Sequence, residues 1–263
     1  MRLSNTRSRA GAATGDAASA SHDRVALFLD VDGTLLDLAQ RPEEAVAPAR
    51  LVANLAKAER MLDGALALVS GRVIDDLDRL FEPLRLRASG VHGAQMRFDP
   101  GEPTISTPGA VALPASLWAA LLRVVDAFPG AFAENKRFSF AVHYRLAPTL
   151  EAPLREAVMR LVESQPRSAI EVVNAHYAFE LKAPGFNKGK AIEAFLARPP
   201  FRGRSPIFVG DDDTDEAGFA AVSARGGYAY SVGRPRPCAL DVFARPSDVR
   251  EWLADFAACG DGG

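Results

Sequence analysis

Short, unbroken apolar runs alternate with helical patterns over much of the chain. The run VALFLD, which starts at Val25, ends abruptly in an acid, and the runs at 65–70 and 206–211 have the same apolar character. Between them, apolar residues recur every three or four positions, as at 51–62, which is typical of an amphipathic helix. Continuous apolar strands that alternate with such helices indicate a parallel sheet covered on both faces, so we predict an α/β fold.

The pattern changes in the middle of the chain, where apolar and other residues alternate one by one. One set of positions is apolar or aromatic and the other is more polar, namely Phe138, Phe140, Val142 and Tyr144 against Ser139, Ala141, His143 and Arg145. A period of two predicts half-buried antiparallel strands. We therefore predict a core formed by 23–98 and 184–263, with an α+β module inserted at 99–183.

The composition changes this picture little. The 263 residues carry a net charge of −2, which gives no electrostatic support for binding nucleic acid or an anionic membrane. Two cysteines, Cys238 and Cys259, are too few for a disulfide framework or a cysteine metal cluster. No apolar run reaches the roughly 18 residues of a membrane span. Residues 1–22 lack an apolar stretch and predict a disordered tail rather than a signal peptide, so we expect a cytoplasmic protein.

Acids and a hydroxyl follow three of the predicted strands. Asp30 and Asp32 end the first run, Ser70 ends the second, and a dense acidic stretch at 211–216 ends the third. Because ligands bind at the carboxyl ends of the strands in an open parallel sheet, these groups are expected at one edge. Each piece also has a simpler interpretation, since Asp-x-Asp-Gly is common in turns and acids favour the start of a helix.

Two familiar loop types do not fit these segments. Asp211, Asp213 and Asp215 have the spacing of a calcium loop, but Glu216 and Val222 stand where that loop requires glycine and glutamate. The segment GFNKGK resembles a phosphate-binding loop, yet its first glycine and its final hydroxyl are missing. Carboxylates at a shared edge are instead typical of a magnesium site, at which Lys188 could neutralise both the acids and a phosphoryl group.

Taken together, these segments resemble the haloacid dehalogenase (HAD) superfamily of phosphatases. The four motifs that carry the resemblance are DVDGT (30–34), SGR (70–72), Lys188 and GDDDTD (210–215). Further segments are similar to the trehalose-6-phosphate phosphatase family within it, namely GVHGA (90–94), ENKRFSFAVHYR (134–145), ELKAPGFNKGKA (180–191) and VGDDDTDEAGF (209–219). Two positions depart from that family's pattern: Val31 stands where the family often has an aromatic residue, and Gln95 stands where an acid is common.

The resemblance implies a HAD-like Rossmannoid core with an inserted α+β cap, and a magnesium-dependent phosphatase. It implies that Asp30 is the nucleophile and Asp32 the general acid and base. Mg²⁺ would be held by the side chains of Asp30 and Asp211 and the backbone carbonyl of Asp32, supported by Asp212 and Asp215. The implied phosphate-binding residues are Ser70, Gly71 and Lys188, and the implied sugar-binding residues are Arg72, His92, Glu134, Lys136, Arg145, Glu180 and Asn187.

The implied substrate is trehalose 6-phosphate, a small molecule that a separate trehalose-phosphate synthase would supply. Three alternatives remain open from the residues alone. The chain could be a phosphatase for another sugar phosphate, a phosphomutase, or a catalytically inactive domain that binds sugar phosphates. The last alternative usually shows a missing nucleophile or acid, whereas Asp30, Asp32, Ser70, Lys188 and Asp211 are all present.

Overall fold

The computed structural model describes residues 25–165 and 170–258. Its strands are β1 (Val25–Leu29), β2 (Leu66–Val69), β3 (Arg87–Gly90), β4 (Gln95–Arg97), β5 (Ile105–Ser106), β6 (Phe132–Asn135), β7 (Ser139–His143), β8 (Glu171–Ala175), β9 (Ala178–Lys182), β10 (Ser205–Gly210), β11 (Tyr228–Val232) and β12 (Asp241–Phe243). Its α-helices are α1 (Ala49–Met61), α2 (Ile74–Leu80), α3 (Ala115–Asp126), α4 (Glu151–Glu163), α5 (Lys188–Leu196), α6 (Glu216–Ser223) and α7 (Pro246–Ala258). The predicted tail at 1–22 lies outside the described residues.

The larger sheet has eight strands in the order β12-β11-β10-β1-β2-β3-β4-β5. The six strands from β12 to β3 are parallel to their neighbours, and β4 and β5 add two antiparallel pairings at one edge. Apolar side chains on both faces of β1, including Leu27 and Phe28, are fully buried. Apolar residues of α1, α5, α6 and α7 belong to the same cluster of buried side chains, which confirms the α/β prediction.

The smaller sheet has four antiparallel strands in the order β6-β7-β9-β8. Helices α3 and α4 pack on one of its faces through a separate apolar cluster, in which Leu121 and Val158 of the helices meet Phe140, Val142 and Phe179 of the strands. The antiparallel pairing agrees with the period of two in the sequence.

The prediction of half-buried strands is wrong for β7, because both of its faces are covered. Ser139 and Ala141, on the face expected to be open to water, are fully buried. The neighbouring residue Glu180 in β9 contacts His92 of the larger unit, so this face of the smaller sheet lies over the edge of the larger one. Phe138 packs with Val91 and Ala94 and not with the helices of the smaller unit.

Other differences concern short elements. Strands β4, β5 and β12 have two or three residues each, which is too short to show as an apolar run in the sequence. Strand β5 lies in the larger sheet although it falls within the predicted insertion at 99–183. The change from one sheet to the other therefore comes after Ser106. Within the described ranges, no helix has the length and apolar character needed to cross a membrane.

Candidate active site

The ends of three adjacent strands form the centre of the site. Strands β10, β1 and β2 are neighbours and run parallel, with Leu29 level with Val209 and with Leu68. Asp30, Ser70 and Asp211 follow these strands and therefore emerge at the same edge. The structure brings together the three groups of polar residues that the sequence places at strand ends.

Lys188 joins the carboxylates of this edge. Its Nζ atom lies 2.8 Å from Asp30 Oδ1 and 2.7 Å from Asp215 Oδ1, and its side chain is buried at the start of α5. The Thr34 hydroxyl lies 3.1 Å from Asp30 Oδ2 and 3.3 Å from Asp211 Oδ1. We call Asp30, Asp211, Asp215 and Lys188 the acid edge.

The acid edge contains more carboxyl groups than its one lysine can pair. Burial raises the pKa of Asp30 to about 7, with Lys188 opposing the shift and Asp211 adding to it. Burial likewise raises the pKa of Asp211 to about 6, and that of Asp215 well above its usual value. Burial acts to lower the pKa of Lys188, but its carboxylate partners outweigh it and raise that pKa well above the usual value.

The acid edge fits a hard divalent cation. One carboxylate oxygen from each of Asp30, Asp211 and Asp215 can be chosen so that all three lie within 4.8 Å of one another. These donors are all oxygens, the ligands that Mg²⁺ prefers, and a cation would relieve their repulsion. Gly33 makes room here, because a Cβ atom at this position would lie 2.2 Å from Asp211 Oδ2.

Asp212 and Asp215 also shape the loop that follows β10. Asp215 Oδ2 accepts hydrogen bonds from the backbone N–H groups of Asp211, at 3.0 Å, and of Asp212, at 3.1 Å. Asp212 Oδ1 accepts from the backbone N–H of Thr214 at 2.9 Å and from its hydroxyl at 2.6 Å. The side chains of these two acids therefore fix the backbone from which Asp211 projects.

The segment after β2 places Ser70 and Gly71 beside the acid edge and Arg72 against Asp32. Ser70 is buried, and its Oγ accepts a hydrogen bond from the Arg72 backbone N–H at 3.2 Å. Gly71 allows a close approach, since a Cβ atom there would lie 2.8 Å from the His92 ring. The Arg72 guanidinium binds both oxygens of Asp32, at 2.6 Å from Nε and 2.7 Å from Nη2.

A second cluster of charged residues lies under the smaller sheet. Glu180 Oε2 lies 2.6 Å from His92 Nε2, and Glu180 Oε1 accepts a hydrogen bond from Lys136 Nζ at 2.5 Å. Glu134 Oε2 lies 2.9 Å from His143 Nε2 and 3.8 Å from Lys136 Nζ. We call these five residues the cap cluster; His92 comes from the larger unit and the other four from the smaller one.

Each carboxylate of the cap cluster is matched by a basic partner. Burial acts to raise the pKa of Glu180, but His92 and Lys136 outweigh it, and the pKa lies well below its usual value. Burial also acts to raise the pKa of Glu134, but Lys136 and His143 outweigh it, and the pKa is lowered. The pKa of Lys136 is raised because Glu180 and Glu134 outweigh the effect of its burial.

Arg145 and Asn187 make contacts that the resemblance did not suggest. The Arg145 guanidinium donates hydrogen bonds to the carbonyl oxygens of Ala39 and His176, and the latter bond measures 3.0 Å. Asn187 is the N-cap of α5, and its Oδ1 accepts a hydrogen bond from the Lys190 backbone N–H at 2.9 Å. In this conformation Arg145 joins the two units, and Asn187 fixes the start of the helix that carries Lys188.

A cavity lies between the two units. It has a volume of about 100 Å³, and its walls include Asp30, Asp32, Ser70, Glu134 and Lys188. A larger cavity of about 600 Å³ lies beside it and shares Leu38, Ala175, His176 and Asp212 with it.

Comparison with known proteins places this geometry in a family. A model of the trehalose-phosphatase family matches residues 28–236. The trehalose-6-phosphate phosphatase of Escherichia coli K12 is 39% identical over 231 residues, which cover 88% of this chain and 85% of that protein. The chain belongs to the trehalose-phosphatase family.

Solved structures show that this trehalose-phosphatase family member has the HAD fold. The C-terminal domain of trehalose-6-phosphate phosphatase from C. albicans matches with a TM-score of 0.83 at 21% identity, covering 94% of this chain and 96% of that one. A HAD-superfamily phosphatase from Bacteroides thetaiotaomicron matches with a TM-score of 0.59 at 17% identity, covering 90% and 97%. At these identities the likeness concerns the fold alone, and it confirms the predicted fold class.

Four residues at this family's site were not among those selected from the sequence. Thr34 lies within the quoted motif DVDGT, and His143 lies on a quoted cap segment, so the motifs themselves could have indicated both. His176 Nδ1 lies 3.5 Å from Asp211 Oδ2, and Arg236 donates two hydrogen bonds to the Asp211 carbonyl oxygen, at 3.2 and 2.9 Å. No local sequence signal connects either residue with Asp211.

Proposed function

We propose that this protein hydrolyses trehalose 6-phosphate to trehalose and inorganic phosphate through an aspartyl-phosphate. The observation that carries the proposal is the acid edge itself, in a chain that belongs to the trehalose-phosphatase family. There, a carboxylate nucleophile, a buried lysine and a serine hydroxyl meet at the end of three parallel strands. The relative from Escherichia coli is named for this same substrate.

The first chemical step is assigned to Asp30. Its carboxylate attacks phosphorus, the bond between phosphorus and the sugar oxygen breaks, and an aspartyl-phosphate forms. Lys188, at 2.8 Å from Asp30, and Ser70 would bind the phosphoryl oxygens and stabilise their negative charge. Gly71 leaves space beside them, because it carries no side chain.

The proton transfers are assigned to Asp32. The leaving group is a sugar alkoxide, so the Asp32 carboxyl would give its proton to the departing oxygen. In the second step, the resulting carboxylate takes a proton from water as the water oxygen attacks the phosphorus of the aspartyl-phosphate. That attack breaks the bond to Asp30, regenerates its carboxylate and releases inorganic phosphate.

Magnesium is proposed as the cofactor. Asp30, Asp211 and the Asp32 carbonyl would hold it, and Asp215 and Asp212 would support the loop that carries Asp211. Bound there, Mg²⁺ would neutralise charge on the carboxylates and on the phosphoryl group. The excess of buried carboxylates over lysine at the acid edge supports this assignment.

We also propose that residues beyond β5 form a cap domain that recognises the sugar. The cap cluster offers carboxylate acceptors and a lysine donor, which suit sugar hydroxyls, and it faces the cavity that contains Asp30. This cavity of about 100 Å³ adjoins the one of about 600 Å³, which is within the ~300–1,000 Å³ typical of ligand pockets. A separate synthase as the source of substrate, and a cytoplasmic location, stay predictions.

Phosphate release from trehalose 6-phosphate, with and without Mg²⁺, tests the proposal. Glucose 6-phosphate, sucrose 6-phosphate and mannose 6-phosphate are the comparison substrates. Magnesium-dependent release that strongly favours trehalose 6-phosphate is the expected result. Equal release from all four would overturn the proposed substrate while keeping the chemistry. Absence of release from folded protein would overturn the proposed activity and favour a binding domain.

A further inference from the structure

We propose that Arg72 is a positioning residue, which holds the proton-transfer group Asp32 in place, rather than a direct contact to sugar. The proposal deepens the proposed function and rests on the role of Asp32 stated there. It concerns the guanidinium–carboxylate pair that joins the loop after β2 to the loop after β1.

The pair is bidentate. Arg72 Nε lies 2.6 Å from Asp32 Oδ2, and Arg72 Nη2 lies 2.7 Å from Asp32 Oδ1. The same Nη2 donates a second hydrogen bond to the Pro42 carbonyl oxygen at 2.9 Å. Two parallel N–H···O bonds fix both the position and the plane of a carboxylate, which one point charge cannot do.

The arginine is the fixed member of the pair. The Arg72 side chain is 9% exposed, whereas that of Asp32 is 35% exposed. The Arg72 backbone N–H donates to Ser70 Oγ at 3.2 Å, and its carbonyl oxygen accepts from the Val91 N–H at 2.9 Å. Both the main chain and the guanidinium of Arg72 are therefore held by other groups, and the more exposed carboxylate is oriented against them.

Asp30 and Asp32 consequently have separate supports. Lys188 and Thr34 bind the Asp30 carboxylate, and Arg72 binds that of Asp32. Proton transfer to a departing oxygen requires a donor at hydrogen-bond distance in the correct orientation. A half-exposed aspartate without its guanidinium partner would sample several side-chain conformations. Loss of Arg72 should thus impair the same step as loss of Asp32.

The nature of the leaving group separates this role from others. A sugar alkoxide needs a proton as it departs, whereas p-nitrophenolate is a stable anion and leaves without one. A residue that orients the proton donor matters for the first and not for the second. A sugar contact would instead change KM for the sugar phosphate, and a phosphoryl contact would slow the release of both leaving groups.

The test compares Arg72→Gln, Arg72→Lys and Asp32→Asn with wild type in single-turnover experiments with Mg²⁺. The substrates are trehalose 6-phosphate and p-nitrophenyl phosphate. For Arg72→Gln, we expect sugar release in the first turnover to slow by about 10²-fold, within the range for general acid catalysis. Its KM, taken here as the trehalose 6-phosphate concentration that gives half the maximal first-turnover rate, should remain close to wild type. Its first-turnover release of p-nitrophenolate should also remain close to wild type, as for Asp32→Asn.

The remaining variants serve as comparisons. Lysine cannot form the bidentate pair, so Arg72→Lys should recover little of the lost rate, whereas added guanidinium should restore part of it to Arg72→Gln. Arg79→Gln, at an exposed arginine on α2, is the matched control and should behave as wild type on both substrates. Thermal unfolding of each variant verifies that it is folded.

Two results would overturn the role proposed for Arg72. One is a raised KM for trehalose 6-phosphate with an unchanged rate at saturation, which would identify a sugar contact. The other is an equal loss with both substrates, which would identify a phosphoryl contact. If wild type hydrolyses a different sugar phosphate, the proposed substrate fails, and the same comparison on that sugar phosphate decides the role of Arg72.

Discussion

The acid edge and the cap cluster are built from the same kinds of side chain, yet their charges are arranged in opposite ways. In the acid edge, Lys188 binds two of the three buried acids, Asp30 and Asp215. The pKa values of Asp30 and Asp211 are raised to about 7 and about 6, chiefly by burial. In the cap cluster, basic partners outweigh burial and lower the pKa of Glu134 and of Glu180. In the first cluster three carboxyl groups outnumber one lysine, and in the second each carboxylate has a basic partner.

This difference separates a site whose buried acids outnumber their basic partner from one whose acids are already paired within the protein. Buried carboxylates that repel each other reduce stability until a cation arrives, as is common at functional sites. Carboxylates paired with lysine and histidine stabilise the contact between the two units. The two clusters should therefore respond oppositely when a single carboxylate is neutralised.

The largest expected effect is that of Asp30→Asn. An amide cannot attack phosphorus, so phosphate release should fall by about 10⁴-fold or more. In the absence of Mg²⁺, the same change removes a buried carboxylate whose pKa is raised by burial, and it should raise the Tm. Phosphate assays and thermal unfolding in EDTA measure the two effects. A lower Tm would show that the Lys188–Asp30 pair outweighs the repulsion.

A second prediction concerns pH in the absence of Mg²⁺. Because the pKa of Asp30 is about 7 in the folded protein and near 3.8 when unfolded, the folded state binds more protons between these values. The free energy of unfolding should therefore fall as pH rises from about 4 to about 7, with a contribution of roughly 3 kcal/mol from Asp30. Urea unfolding in EDTA across this range measures the slope.

The control for the pH experiment is Asp30→Asn, which should reduce the slope; a smaller slope remains because the pKa values of Asp211 and Asp215 are also raised. The cap cluster acts in the opposite direction and in a lower window, because the pKa values of Glu134 and Glu180 are lowered. Their contribution is present above about pH 4.5 and is lost as pH falls further. A stability that rises between pH 4.5 and 7 in EDTA would contradict the predicted excess of charge at the acid edge.

A third prediction concerns the same kind of substitution, a carboxylate replaced by an amide, in the cap cluster, where the opposite effect on stability is expected. Glu180→Gln keeps the shape of the side chain but leaves Lys136 without its buried carboxylate partner, and His92 loses its own. Removal of one member of a buried pair is expected to lower the free energy of unfolding by about 3 kcal/mol. Urea unfolding at pH 7 measures it, and Glu156→Gln, in an exposed pair with Arg160, is the matched control with little expected effect. A Glu180→Gln protein as stable as wild type would show that the network contributes little.

Much of this arrangement was predictable, because it follows from local patterns. Unbroken apolar runs predict the parallel strands, and Asp30 and Asp211 directly follow two of these runs. Parallel strands with a common direction bring those ends to one edge without any further information. The resemblance to HAD phosphatases added the cap residues, and the structure brings Glu134, Lys136 and Glu180 together.

What could not be predicted depends on contacts between distant segments. The burial of Ser139 and Ala141 comes from the position of the smaller sheet over the larger one, which a strand pattern cannot express. Arg236 reaches the Asp211 carbonyl from a loop 25 residues further along the chain. The partner of a particular side chain is likewise undetermined by the sequence, as Arg72 and Asn187 show: each was assigned to sugar, and each binds protein groups here.

Asn187 supplies the prediction with the smallest effect. Because its Oδ1 caps α5 at the Lys190 N–H, Asn187→Ala should lower the free energy of unfolding by about 1 kcal/mol. Asn187→Ser retains an oxygen that can cap the helix, so it should stay close to wild type in both stability and KM for trehalose 6-phosphate. Urea unfolding and steady-state kinetics measure the pair of variants. A raised KM in Asn187→Ser at unchanged stability would support the assignment of Asn187 to the sugar, because a helix cap alone gives the substrate no contact to lose.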